Sequence, residues 1–207
     1  MSTPLHPPAA PEAGDAADRE LAARVQSGDA AAFEALFRRY FDRLAAFAEG
    51  YVRAPEAAED LTVDVFVRIW ERRAEWNLRG TPRSYLYTAV RNEALAWLRR
   101  RRMVERAHAE SVRDGRPPAM GAAPESSDAG VEARELAEAA DHAILQLPER
   151  SREAFVLLRK HGLSYAEIAE TMGISVKTVE VHLGRAFKFL RAQLAAFLAV
   201  LLATVLH

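Results

Sequence analysis

The chain has 207 residues, enough for one ordinary domain or two small ones. Its formal net charge of −1 excludes a uniformly basic nucleic-acid binder, so any such surface must come from local segregation of charge. The absence of cysteine excludes disulfides, thiolate metal sites and cysteine nucleophiles.

Residues 1–20, MSTPLHPPAAPEAGDAADRE, have neither a basic n-region nor an apolar h-region, so they read as a disordered Pro/Ala tail rather than a secretory signal. Strand periodicity is almost absent and apolar spacing is helical from Ala30 to Leu206, which predicts an all-α protein. Asp29 is placed to cap a helix whose Phe33, Leu36, Phe37, Tyr40, Leu44, Phe47 and Tyr51 form a core-facing stripe. Pro55 suits the first position of a second helix, with Glu56, Glu59 and Asp60 in the first turn, where the helix dipole favours anions. Leu61, Val65, Phe66, Ile69 and Trp70 are core candidates of that helix. Glu59, Asp60 and Asp64 leave an acidic stripe at its start, which on its own reads as dipole complementation more readily than as a binding site.

Thr81 and Pro82 form a cap and first-turn pair that opens a third helix, in which Leu86, Ala89, Val90, Ala94, Trp97 and Leu98 are suited to packing. Tyr85, Tyr87, Arg91 and Asn92 stand outside that set, and Arg99, Arg100, Arg101 and Arg102 follow in an unbroken run. Aromatics among arginines suit single-stranded DNA, whose bases stack on rings while guanidinium groups hold the phosphates. An ordinary core helix with a basic end that complements its dipole explains the same residues, and the helix alone leaves both readings open.

Residues 107–133 concentrate Pro, Gly, Ser and Asp without apolar periodicity, which marks a flexible linker between helical units at 21–106 and 134–194. In the second unit Ser164 and Glu167 form a capping box, Gly173 suits the left-handed end of that helix, and Ser175 can cap the next. Val179, Leu183, Ala186, Phe187 and Leu190 bury one face of this last helix. The opposite face carries Lys177, Thr178, Glu180, His182, Arg185 and Lys188, residues suited to base edges and phosphates in a major groove. The result is a helix-turn-helix. Residues 195–207 continue as an apolar extension; Leu194 to Leu206 is shorter than the roughly 20 residues that span a bilayer, so it reads as a prolongation of the helix that packs on a partner or on the first unit. The six histidines never fall at metal-ligand spacing, and His142 and His161 read as helix-surface residues. No phosphate loop or nucleophile motif stands out, so no catalytic residue, metal or cofactor is expected.

Four segments in fixed order, GDAAAFEALFRRYFDRL, AAEDLTVDVFVRIWE, TPRSYLYTAVRNEALAWLRRRR and LPERSREAFVLLRKHGLSYAEIAETMGISVKTVEVHLGRAFKFLR, resemble the bacterial sigma-70 family, in particular its compact extracytoplasmic-function (ECF) group. The resemblance implies a cytoplasmic, non-enzymatic initiation subunit with a region 2-like bundle and a region 4-like helix-turn-helix. It implies docking on core RNA polymerase, at the β′ clamp helices and β flap, with Glu59, Asp60, Asp64 and Phe66 matching the clamp contacts. It assigns minus-10 promoter DNA to Trp76, Arg83, Tyr85, Tyr87, Arg91, Asn92 and the four arginines 99–102. It assigns the minus-35 element to Lys177, Thr178, Glu180, His182, Arg185 and Lys188, and it implies an anti-sigma factor as a further partner. The chain departs from the family pattern at Val63, at Tyr85 and at Ala96 and Trp97, departures that bear on the exact minus-10 preference and not on the class. A LuxR-type regulator would share the C-terminal hairpin, but residues 20–105 lack the α/β receiver or ligand-sensor pattern that such a protein needs.

Overall fold

The computed structural model describes residues 12–76, 78, 80–111 and 140–205, and these form helices and connections without a strand. Helix α1 spans Glu12–Gln26, α2 Ala30–Val52, α3 Pro55–Glu71 and α4 Pro82–Ser111, with a single 3-10 turn at Arg73–Glu75 between the last two. Residues 140–145 are helical and lead into α5 at Glu149–Arg159, α6 at Tyr165–Met172 and α7 at Val176–Val205. The all-α class follows the apolar periodicity, and its caps are the ones the sequence marks. Asp29 accepts hydrogen bonds from the backbone N–H of Ala31 and Ala32 at 2.9 and 3.1 Å. Arg53 closes α2 in the left-handed region at φ 52° and ψ 37°, Ala54 is extended, and Pro55 begins α3. Proline disfavours a helical residue before it, so the Arg-Ala-Pro sequence forces a corner and sets α3 against α2. Thr81 Oγ1 accepts from Ser84 N at 3.0 Å and opens α4 in the same way.

Two boundaries differ from the sequence reading. Helix α1 begins inside the stretch expected as a tail, because Asp18 is buried there: its carboxylate accepts the Tyr40 hydroxyl and pairs with Arg39 Nε at 3.2 Å, while Ala22 and Val25 enter the core. Helix α4 runs to Ser111, past the expected linker start at 107. The remainder of that linker, residues 1–11, and positions 134–139 lie outside the described residues. The apolar run after Leu194 prolongs α7 to Val205, and among the described residues no helix is long and apolar enough to cross a membrane.

Helix α2 lies at the centre of the N-terminal unit, packed on α1, α3 and α4, while α5 and α6 pack on α7 in the C-terminal unit. The units share a core. Helix α4 packs on α6, and one buried cluster continues from Leu44, Phe66, Leu86 and Val90 to Ala154, Leu157, Leu163 and Ile168.

Candidate nucleic-acid interface

Helix α3 divides cleanly by phase. Leu61, Val65, Phe66 and Ile69 are buried, whereas Glu59, Asp60, Val63, Asp64 and Val67 lie exposed on the outward side. Phe66, expected beside the acidic stripe as a docking residue, is instead 1% exposed and meets Phe37 edge-on at 4.9 Å and Phe33 at 6.1 Å. The helical period had already placed it among the core candidates, and burial of an aromatic ring decides between the two assignments. The apolar residues that do share the acidic face are Val63 and Val67, one turn apart. Their outward phase is visible in the sequence once Leu61, Val65 and Ile69 are fixed inward.

At the corner between α3 and α4 a cavity of about 520 Å³ is lined by Arg68, Arg72, Trp76, Tyr85, Asn92 and Glu93, among others. The 3-10 turn holds Trp76 there, tied back to α1 by the Gln26 side-chain amide, which donates to the Trp76 carbonyl. Trp76 meets Tyr85 edge-on at 5.5 Å, and its buried indole N–H has no partner among the described residues. An edge-to-face pair of aromatic rings and the amide of Asn92 line a pocket suited to a planar group with hydrogen-bonding edges.

The structure separates the residues expected at the minus-10 element into three sets. Trp76, Tyr85 and Asn92 line the cavity. Arg99 to Arg102 are exposed along α4, with Arg100 on Glu93 at 3.1 Å and Arg101 on Glu105 at 2.8 Å and over the Trp97 ring at 5.3 Å. Arg83, Tyr87 and Arg91 occupy the other flank of α4 and are buried against the C-terminal unit, with Tyr87 at 0% exposure. Arg91 Nε pairs with Glu153, Arg83 donates to the His161 carbonyl, and Tyr87 Oη lies 3.0 Å from His161 Nδ1. In this conformation these three residues have no access to DNA.

His161 is therefore not the helix-surface residue read from the sequence; His142 is exposed, as expected. The C-terminal end of α5, closed by Gly162 at φ 65°, turns His161 inward between Phe47 and Tyr87, each ring centroid at 5.2 Å. Burial first, then the charges of Arg43, Lys160 and Arg83, push its pKa down from 6.5 to about 4. The packed state holds the ring neutral, so an unfolded chain binds the extra proton below pH 6.5 and stability falls as the pH drops from 6.5 toward 4. Thermal unfolding between about pH 7 and about pH 4.5 is expected to lose its midpoint faster in the parent chain than in His161→Gln. Equal slopes would show that another group governs the acid response.

In the C-terminal hairpin the expected capping box is complete: Ser164 N donates to Glu167 Oε2 at 2.8 Å, and Glu167 N donates to Ser164 Oγ at 3.3 Å. Gly173 stops α6 at φ 65° and ψ 40°, where any side chain would be strained. Thr178 N donates to Ser175 Oγ at 3.1 Å and starts α7. Ser164→Ala is expected to lower stability by about 0.5–2 kcal/mol in urea unfolding. An unchanged urea midpoint would show that the cap is replaced by solvent.

Along α7, Val179, Leu183, Ala186 and Leu190 are buried, and Lys177, Glu180, Arg185 and Lys188 face outward. Thr178 and His182 are half-buried: the Thr178 hydroxyl lies 2.8 Å from Ser175 Oγ and His182 Nδ1 lies 3.4 Å from Ser151 Oγ. Two residues missed by the sequence reading, Val176 and Val181, are exposed on the outward side. Position 181 lies four residues after Lys177 and before Arg185, so helical phase could have found it, and an exposed apolar side chain suits a thymine methyl.

This arrangement of a helical bundle followed by a helix-turn-helix matches two family models in the same order, "Sigma-70 region 2" over residues 36–103 and "Sigma-70, region 4" over residues 137–190. Those matches define the class, a sigma-type transcription initiation factor. The chain is 34% identical over 168 residues to the RNA polymerase sigma factor CarQ of Myxococcus xanthus, covering 81% of this chain and 92% of that protein. It is 32% identical over 185 residues to CnrH of Cupriavidus metallidurans, covering 88% and 94%. The solved structure of CnrH in complex with the cytosolic domain of CnrY superposes with a TM-score of 0.57 at 27% identity, covering 89% of this chain and 98% of that one. The chain belongs to the sigma-70 family of RNA polymerase sigma factors, in its ECF group, and functions in transcription initiation. The region 2 match occupies the half of the chain on which the LuxR-type alternative turned, and removes the ground for it.

Proposed function

We propose that the chain docks on core RNA polymerase through the outward face of α3, captures an unstacked base of the minus-10 element in the α3–α4 cavity, and reads the minus-35 duplex with the start of α7. Glu59, Asp60 and Asp64 supply the charge for docking, and Val63 and Val67 the apolar contact that Phe66, held in the core, does not. The observation that carries the reading is the cavity itself, lined by Trp76, Tyr85 and Asn92 at the corner between α3 and α4. A base flipped out of the stack costs a few kcal/mol, and ring stacking of about 1–3 kcal/mol per base with phosphate contacts from the exposed arginines offsets that cost. Lys177, Glu180 and Arg185 are the outward charged residues closest to the start of α7, where a recognition helix meets base edges, and Lys188 lies further along, toward the phosphates.

The relative CnrH is held by the cytosolic domain of CnrY, which supports an anti-sigma factor as a partner of this chain too. The deciding experiment adds the purified chain to core polymerase and maps the 5′ ends of transcripts made on genomic DNA. Initiation at a discrete set of promoters sharing minus-35 and minus-10 elements is expected. Transcripts no more specific than those of core enzyme alone would overturn the reading.

A further inference from the structure

Glu93 is a carboxylate in a place where DNA binding asks for cations. It lies on the wall of the α3–α4 cavity beside Asn92, and the charged residues lining that cavity are two arginines, Arg68 and Arg72, and two acids, Glu75 and Glu93. An acid on a wall that faces a DNA strand repels every phosphate that approaches it. Its contacts show what it does there instead. Each oxygen of Glu93 holds a different arginine: Arg68 Nη2 from α3 donates to Oε2 at 2.6 Å, and Arg100 Nη2 from α4 donates to Oε1 at 3.1 Å. Neither contact is a neighbour pair that a single helix supplies. Arg68 stands on the facing helix, and Arg100 follows Glu93 by seven residues, about 10 Å along the axis, so its side chain lies back toward the cavity to reach the carboxylate. Burial raises the Glu93 pKa, but the hydrogen bonds from Arg68 and Arg100 outweigh it and hold the carboxyl below its ordinary value, so the group is ionised.

As a brace between helices this group is poorly placed. The Glu93 side chain is 17% exposed, but those of Arg68 and Arg100 are 50% and 61% exposed, and ion pairs so open to water contribute little to stability. Helix α3 is already seated by Leu61, Val65, Phe66 and Ile69, and α4 by Leu86, Val90 and Ala94. What the exposure does give is access. A guanidinium has five N–H donors, and each arginine gives one to Glu93. Its planar fork fits a carboxylate and a phosphodiester by the same geometry, two oxygens facing two N–H groups. Two guanidinium groups that converge on one carboxylate therefore make an oxyanion site, already filled by an oxyanion of the chain itself.

We propose that Glu93 is an internal counter-ion that occupies the place of a phosphodiester at the α3–α4 cavity, and that a single strand entering the cavity displaces it from Arg68 and Arg100. The exchange rests on the base capture proposed above and brings two further residues, Arg68 and Glu93, into the DNA site. Its effect on affinity has a definite sign. An unpaired arginine gains a phosphate and loses nothing, whereas these two must give up Glu93 first. Phosphate attraction alone then holds a strand weakly at this point, and the captured base has to supply the rest.

The test uses the full chain assembled with core polymerase and a labelled single-stranded oligonucleotide carrying the non-template minus-10 sequence of one of its mapped promoters, followed by fluorescence anisotropy across a salt series. Glu93→Gln keeps the shape of the side chain and removes one negative charge. It is expected to steepen the slope of log affinity against log salt by about 0.7, the value of one charge on a single strand; with the salt lines meeting near about 1 M, binding becomes about fivefold tighter at about 0.1 M. Arg68→Ala is expected to weaken binding by a larger factor in the Glu93→Gln background than in the parent, because only in the parent does the arginine surrender a partner to reach the phosphate. Unchanged or weaker binding in Glu93→Gln would overturn the counter-ion role, and equal costs of Arg68→Ala in both backgrounds would overturn the exchange. A lowered urea midpoint in Glu93→Gln with binding unaltered would make the group a brace between α3 and α4 and nothing more. If the parent complex fails to bind the oligonucleotide, base capture falls and the exchange with it; a parent that binds, with no response to Glu93→Gln, overturns the exchange alone.

Discussion

Phe66→Ala is expected to destabilise the N-terminal unit by about 3–5 kcal/mol, a large share of the 5–15 kcal/mol that holds a typical domain together. The ring is buried against Phe33 and Phe37 from α2, so its removal leaves a cavity between two helices whose backbones are fixed by the Arg53-Ala54-Pro55 corner and cannot close on it. Asp64→Ala and Val67→Ala, on the outward face of the same helix, are expected to change stability by less than about 0.5 kcal/mol while weakening binding to core polymerase. Urea unfolding followed by circular dichroism, beside a polymerase pull-down, separates the two faces. A Phe66→Ala chain that keeps its unfolding midpoint and loses only polymerase binding would return the ring to the docking surface.

The fate of Phe66 shows which parts of this molecule are legible in sequence. Features whose cause lies within one turn were readable: the Asp29 cap, Pro55 at the head of α3, the Thr81-Pro82 start, and the Ser164 to Gly173 hairpin all depend on neighbours three or four residues away. Helical phase was equally local, and applied strictly it would have kept Phe66 inside and found Val63, Val67 and Val181 outside. What could not be read depends on distant partners. Asp18 looks like a tail residue until Tyr40 and Arg39 of α2 accept it into the core. His161 looks exposed until Phe47 and Tyr87 enclose it.

Helix α4 is the clearest case of that limit. Its polar and aromatic residues lie on two flanks that composition treats alike, and Tyr85 and Tyr87, two positions apart, point to different neighbours. One flank faces α3 and the cavity; the other faces α5 and α6. Only the docking of the second unit distinguishes them, and that docking joins segments more than 60 residues apart through a shared apolar core and pairs such as Arg91 and Glu153, with a separation of 62. The family resemblance assigned both flanks to DNA. The structure packs one of them against the C-terminal unit.

Arg99 to Arg102 lie exposed at the end of α4, so they are expected to govern the electrostatic part of DNA binding. Replacing all four with alanine keeps the helix, since alanine is the best helix former. It removes surface ion pairs of Arg100 with Glu93 and Arg101 with Glu105 that are worth little on their own. Each phosphate neutralised contributes about 0.7 to 0.9 to the slope of log affinity against log salt. Two of the arginines are shared with carboxylates, so the quadruple variant is expected to flatten the slope by about 2 to 3. Because the two salt lines converge near 1 M, that change corresponds to about a hundredfold to a thousandfold weaker promoter complexes at about 0.1 M salt. The loss should be nearly the same on promoter and on unrelated DNA, as befits contacts to the backbone. Lys177→Ala and Arg185→Ala are expected to behave differently, with weakening confined to templates carrying the minus-35 element. Filter binding of the polymerase complex across a salt series measures both effects. An unchanged slope in the arginine variant would place the phosphate contacts elsewhere, and equal losses on all templates from the α7 variants would remove their role in reading sequence.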